Sequence, residues 1–172
     1  KLERIYGQQF LDTNIAERIN NWIGTIDQRW ILCYSLSDDG GSSSSAFHDK
    51  CDGRGPTITL VTDTEGNKFG GYTDISWNST NAWGRSYDSF LFSITNNLKY
   101  SLKANEDSYA IFSHVDFGPY FGRGDFTINN TMTSGQCWVK SYNTHFAWCH
   151  DDARSVTFEI DEINVYYKPQ AE

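Results

Sequence analysis

Four cysteines and four histidines are the side chains of this 172-residue chain best suited to metal or nucleophile chemistry. Cys137, His145, Cys149 and His150 form the best metal candidate, because thiolate and imidazole suit zinc. Structural zinc sites, however, bring a pair of ligands two to four residues apart at each end. Adjacent Cys149 and His150 on a strand would also point to opposite faces. The spacing therefore predicts no metal. His48 and Cys51 stand three apart and would share one face of a short helix. A Cys–His nucleophile needs the imidazole within hydrogen-bond reach of the thiol and a third group to orient it. Nothing local supplies that group, so the pair reads as structural. Cys33 lies in the apolar run Trp30-Ile31-Leu32-Cys33-Tyr34, where a buried thiol behaves as a small hydrophobe. Exposed and acidic, Cys33 and Cys51 would be oxidisable and could scavenge peroxide directly, but packing is the favoured reading of both.

Other constellations reduce to turns. The acidic pairs Asp38-Asp39, Asp151-Asp152 and Asp161-Glu162 lack the alternating spacing of a calcium loop. The glycine-rich stretches 53–55 and 118–125 lack the following helix and Lys-Ser/Thr of a phosphate cradle. The residues thus predict no enzyme and no cofactor. Aromatics are the more informative set. Trp77, Trp83, Tyr87, Tyr120, Trp138, Phe146 and Trp148 lie near loops or strand ends, where ring faces stack on sugars or anchor a protein partner. Most of the six Trp, ten Tyr and eleven Phe must nevertheless fill a core.

The elements that would position these groups follow from periodicity. Ile15, Ile19, Trp22, Ile23 and Ile26 make one apolar stripe of a helix, with Asn14 and Glu17 as a capping box and Gly24 near its end. A second short helix is expected over 46–51, capped by one of Ser42 to Ser45. Strands are expected over 30–36, 57–62, 68–73, 89–94, 109–115, 126–128, 137–142 and 155–167. The hairpin 57–73 turns at Glu65-Gly66-Asn67, and Gly70 and Gly71 in its return strand indicate a bulge or a close backbone approach. A phase shift at Asp161-Glu162 predicts a bulge in the last strand. The pattern is a mainly β fold with short α-helices, a two-sheet antiparallel β-sandwich in a single domain over 1–172.

Composition excludes other classes. The net charge is −8 and the pI near 4.9, which argues against nucleic acid as a partner. No apolar run is long enough to insert in a membrane, and no signal peptide is visible. The chain starts at Lys1 and its one methionine is Met132, so it is expected to be part of a longer product. Four cysteines allow two bridges in three connectivities, but their irregular spacing favours reduced thiols and a cytoplasmic location. The sequons Asn78-Ser79-Thr80 and Asn129-Asn130-Thr131 would matter only in a secreted protein.

Seven strings, ordered along nearly the whole chain, resemble the TLDc domain of the oxidation-resistance family. They are Ile19-Asn20-Asn21-Trp22-Ile23; Trp30 to Tyr34 with Ser37-Asp38-Asp39-Gly40; and Phe47-His48-Asp49-Lys50-Cys51-Asp52-Gly53-Arg54-Gly55-Pro56-Thr57. Next come Phe69-Gly70-Gly71-Tyr72-Thr73 and Ser89-Phe90-Leu91-Phe92-Ser93-Ile94-Thr95-Asn96. Gly118-Pro119-Tyr120-Phe121-Gly122 and Phe158-Glu159-Ile160-Asp161-Glu162-Ile163-Asn164-Val165-Tyr166 complete the set. The stretches 97–107 and 136–153 depart from the family pattern. The resemblance implies a β-sandwich and a non-enzymatic protein-interaction domain linked to oxidative-stress protection. It implies binding to the vacuolar proton-pumping ATPase, or a place in another multi-subunit assembly, and upstream modules in the full chain. Phe69, Gly70, Gly71, Tyr72, Cys51, Asp52 and Gly53 are then its structural signature, with no catalytic residue. The partner-binding residues stay unassigned. The competing reading is an extracellular carbohydrate- or ligand-binding β-sandwich, glycosylated at Asn78.

Overall fold

In a computed structural model, described for residues 4–5, 7–38, 42–144 and 154–170, strands dominate. A two-residue pair, β1 (Arg4–Ile5) and β2 (Gln8–Gln9), leads into helix α1 (Thr13–Ile23). Asp12, not Asn14, caps α1, its carboxylate accepting from the Ile15 N–H at 3.2 Å. Gly24 ends the helix in the left-handed region at φ 86°, so Ile26 falls beyond it and is 86% exposed. Strand β3 (Ile31–Ser35) precedes α2 (Ser44–Cys51), which Ser43 caps. The hairpin β4 (Thr57–Asp63) and β5 (Lys68–Thr73) follows, then β6 (Ala82–Gly84), β7 (Phe90–Ser93) and β8 (Leu98–Ser101). The remaining strands are β9 (Ile111–Ser113), β10 (Tyr120–Phe121), β11 (Phe126–Ile128), β12 (Ser134–Cys137) and β13 (Val156–Tyr167).

All pairs are antiparallel, but the expected division into two separate sheets is not found. One curled sheet runs β6-β9-β10-β11-β12-β13-β4-β5-β7-β8, with β3 also on β13. The reason lies in β13. Its first four residues pair with β12, and its remainder pairs with β4 and β3. The amide of Ile160 donates to Thr133 on one flank while the carbonyl of Glu159 accepts from Thr64 on the other. β12 and then β3 therefore lie along the flank opposite β4. The register shifts between Ile160 and Glu162, the bulge that the sequence phase shift predicts. The expected strand over 137–142 is displaced: β12 ends at Cys137, and Tyr142 makes only an isolated bridge to Leu102.

Curling brings the two arms face to face around aromatic rings. Phe69 of β5 meets Phe158 of β13 edge-on at 5.1 Å and Phe126 of β11 at 5.9 Å. Such edge-to-face contacts add to the area they bury. The opposite face of β4, β5 and β7 is covered by α1, which seats Ile19 among Trp30, Leu60, Tyr72, Phe90 and Phe92. Asn20 fixes this layer by accepting from the Trp30 indole N–H at 2.9 Å and donating to the Gln28 carbonyl. β4 is buried on both faces, with Ile58 and Leu60 beneath α1 and Val61 inside the curl.

Three buried phenols make the fold sensitive to alkali. Burial, then the Asp74 and Asp88 carboxylates, pushes Tyr72 up to about 12. Burial likewise raises Tyr142, whose hydroxyl donates to the Ala110 carbonyl, and Tyr166. These folded values lie above the unfolded one, so their stabilisation is complete below about pH 10 and is lost as pH rises through the folded values. The urea midpoint should fall progressively from about pH 10 upward, in step with tyrosinate absorbance. Full phenol ionisation near pH 10 with native circular dichroism would contradict this burial.

Candidate functional site

Helix α2 is where the sequence placed its reactive side chains, and the structure uses them as fasteners. The Cys51 sulfur is bonded to Cys33 of β3, with the two Cα atoms 5.5 Å apart. This corrects the expectation of reduced thiols at both positions, on which the cytoplasmic location rested. Neither sulfur is a thiolate available to peroxide, and Cys51 cannot act as a nucleophile toward which His48 is the base. Eighteen residues separate the two cysteines, and their meeting is set by α2 packing on β3. Cys137 is also disulfide-bonded, so it offers no thiolate to zinc. His145, Cys149 and His150 of that metal candidate lie outside the described residues, as do Phe146 and Trp148. Among the described residues no group of side chains is arranged to hold a metal.

His48 is 6% exposed and fully engaged. Its Nδ1 lies 2.8 Å from the Asp52 carboxylate, and its Nε2 is 3.0 Å from the His114 carbonyl and 2.9 Å from that of Phe117. Both ring nitrogens are thus within hydrogen-bond distance of partners supplied by the fold. Asp52 also accepts from the Ser79 hydroxyl. Gly53 takes a left-handed φ of 69° and donates its N–H to the Trp77 carbonyl at 2.9 Å. Cys51, Asp52 and Gly53 thus tie α2 to β3, to the 78–81 loop and to Trp77, while His48 ties it to the turn after β9.

The segment Phe69-Gly70-Gly71-Tyr72 alternates across β5. Phe69 and Gly71 face the space inside the curl, and Gly70 and Tyr72 face α1. No bulge occurs here: β5 pairs in continuous register with β4 and β7. A Cβ on Gly70 would overlap the backbone oxygen of Thr59, and one on Gly71 would come within 2.6 Å of the Phe121 ring. Close approach is the reason for both glycines.

The loop aromatics divide. Trp77 is wholly buried, donating to the Thr57 hydroxyl at 3.0 Å, and so is not a surface ring. Trp138 is half-buried beneath the Lys140 ammonium, and Tyr87 is 73% exposed. Trp83 and Tyr120 belong to a shelf of rings on the outer face of β6, β9 and β10. Trp83, 41% exposed, lies 4.7 Å from Phe112 and 5.2 Å from Tyr109 between ring centroids. Phe112 meets Tyr120 at 5.4 Å, and Tyr120 meets Phe117 at 5.5 Å. Tyr109, Phe112 and Phe117 are additions to the sequence reading. Phe112 had a signal, because it alternates with the buried Ile111 and Ser113. Among the described residues β6 is one of the two end strands of this order, with Ala82 and Trp83 exposed.

Asp125, another residue without a sequence signal, anchors a loop. Asp125 is wholly buried and accepts from the backbone N–H groups of Lys140, Ser141 and Tyr142, at 2.8 Å from each. Burial pushes its carboxyl up, while these amides and the Lys103 ammonium pull it back.

Non-reducing peptide mapping should recover Cys33 and Cys51 in one linked fragment. Removing this bond alone, with Cys33→Ala and Cys51→Ala together, should lower stability by about 3 kcal/mol in the chain-entropy account of an 18-residue separation. Unlinked thiols at both positions would refute the staple. Gly71→Ala should cost about 1–3 kcal/mol by overpacking against Phe121. Gly70→Ala, which meets backbone, should cost at least as much; unchanged urea midpoints would refute the close approach.

A family model described as the TLDc domain matches residues 5–167. No curated protein matches the chain.

Proposed function

The chain belongs to the TLDc domain family, and we propose that it works as a non-catalytic protein-binding module whose contact surface is the aromatic shelf around Trp83. The carrying observation is the run of partly exposed rings, Trp83, Tyr109, Phe112 and Tyr120, beside β6, an end strand of the sheet among the described residues. Large rings of this kind dominate binding energy at protein interfaces. An exposed strand edge offers backbone donors and acceptors for an added strand. Support for a non-enzymatic role comes from α2, where Cys51 is bonded to Cys33 and both nitrogens of His48 serve the fold. The family resemblance points to the vacuolar proton-pumping ATPase or another multi-subunit assembly as the partner, and to protection against oxidative stress as the outcome.

The Cys33–Cys51 bond favours a second reading, an extracellular module binding carbohydrate or another ligand through the same rings. Of the two sequons, Asn78 is exposed, with its side-chain oxygen accepting from Thr80. Asn129 instead donates its amide to the Ser134 hydroxyl at 2.7 Å. A glycan would displace that bond, so Asn78 is the better acceptor of the two. Along the described residues no helix is long and apolar enough to cross a membrane.

Trp83→Ser is exposed enough to leave the fold intact. In the protein-module reading it should weaken binding to purified proton-pump subcomplexes, or to partners recovered from the source cells, by at least about tenfold. Saturable glycan binding lost in the same variant, with no protein partner, would replace that reading with the second.

A further inference from the structure

A cavity of about 310 Å³ opens on the outer face of β5, β7 and β8 beside the end of α1. None of its lining residues belongs to the aromatic shelf. Trp22, Ile23 and Phe90 supply an apolar floor. The side chain of Tyr72 is 6% exposed, yet its hydroxyl has no hydrogen-bond partner among the described residues. The ring is packed but the oxygen reaches the cavity, so its O–H is a donor open to whatever occupies that space. Asp88 and Lys99 also line the cavity and form no ion pair with each other or with any other described residue. Lys99 donates to the Trp22 carbonyl at 3.1 Å and lies 4.8 Å above the Phe90 ring, which leaves its ammonium donors to spare.

We propose that this cavity binds a small zwitterion of the amino-acid class, its ammonium paired with Asp88 and its carboxylate held by Lys99 and the Tyr72 hydroxyl. Charge placement supports each contact. Tyr72 is protonated at neutral pH, its phenol held up to about 12 by burial and by the Asp74 and Asp88 carboxylates. The hydroxyl is therefore available as a donor to a carboxylate. A negative group alone would face Asp88, and a positive group alone would face Lys99. A molecule carrying both charges satisfies both side chains. The volume sits at the small end of ligand cavities, roughly 300–1,000 Å³, and suits a single amino acid with an apolar side chain on the Trp22–Phe90 floor.

The test is calorimetric titration of the 172-residue protein with L-leucine and with 6-aminohexanoate, which holds its two charges further apart. Saturable binding of either supports the proposal, and the better of the two reports the spacing between Asp88 and Lys99. Leucinamide, without the carboxylate, and N-acetyl-L-leucine, without the ammonium, should each bind at least about tenfold more weakly than leucine. Tyr72→Phe removes only the hydroxyl and should weaken binding about tenfold. Asp88→Asn and Lys99→Met change exposed side chains, and either should abolish discrimination between leucine and the analogue lacking its partner charge. These two variants decide the matter should Tyr72→Phe fail to fold. No saturable binding of either zwitterion at millimolar concentration would overturn the proposal. Equal binding of leucine and both analogues would overturn it as well. Neither outcome touches the role of Trp83, which is read from protein binding.

Discussion

The strand Val156–Tyr167 belongs to both arms of the sheet, and every other element takes its place from that sharing. A strand has two flanks. β4 occupies one, and β12 and then β3 divide the other. The bulge after Ile160 turns the strand between these partners, so the arm from β12 to β6 curls over the arm from β4 to β8. The enclosed space is filled by Phe69, Phe121, Phe126 and Phe158, close-packed as protein interiors are. Gly71 is then required opposite Phe121, because the facing arm arrives with a ring where a side chain would otherwise stand.

Helix α2 closes one end of this arrangement through covalent and polar ties of different kinds. The Cys33–Cys51 bond joins it to β3, beside β13, while His48 reaches the carbonyls at the turn between β9 and β10. One short helix thereby joins the two arms. The same turn carries His114 and Phe117 toward the outer shelf, with Phe117 5.5 Å from both His114 and Tyr120. The staple and the shelf are consecutive parts of one structure, the inner side committed to holding the curl and the outer side left to solvent.

Much of the fold was legible because local patterns sufficed for it. The apolar stripe Ile15, Ile19, Trp22 and Ile23 is helix α1, and the turn at Glu65-Gly66-Asn67 joins β4 to β5. Asp161-Glu162 marks the bulge because a period-two pattern cannot change phase without an extra residue. Short strands such as β6 and β10 carried no such signal, since two or three residues cannot establish a period. The cap of α1 shifted from Asn14 to Asp12 because both residue types serve, and the choice depends on where the chain enters from β2.

Composition and order along the chain were enough to specify a mainly β domain, its aromatic interior and its family, because those depend on residue types and near neighbours. Three features depended instead on residues far apart in sequence. The single curled sheet needed β13 to find partners on both sides, and the Cys33–Cys51 bond needed α2 to settle on β3. The division of the aromatics needed the curl itself, which buried Trp77 and left Trp83 partly exposed although the two stand six residues apart in similar loop sequence. Tyr72 shows both levels at once. Its family string marked it as a signature residue, but its bare hydroxyl in a cavity also lined by Asp88 and Lys99 exists only where β5, β7 and β8 meet α1. Long-range contact places charges and hydroxyls, and no local pattern encodes which of them will line one cavity.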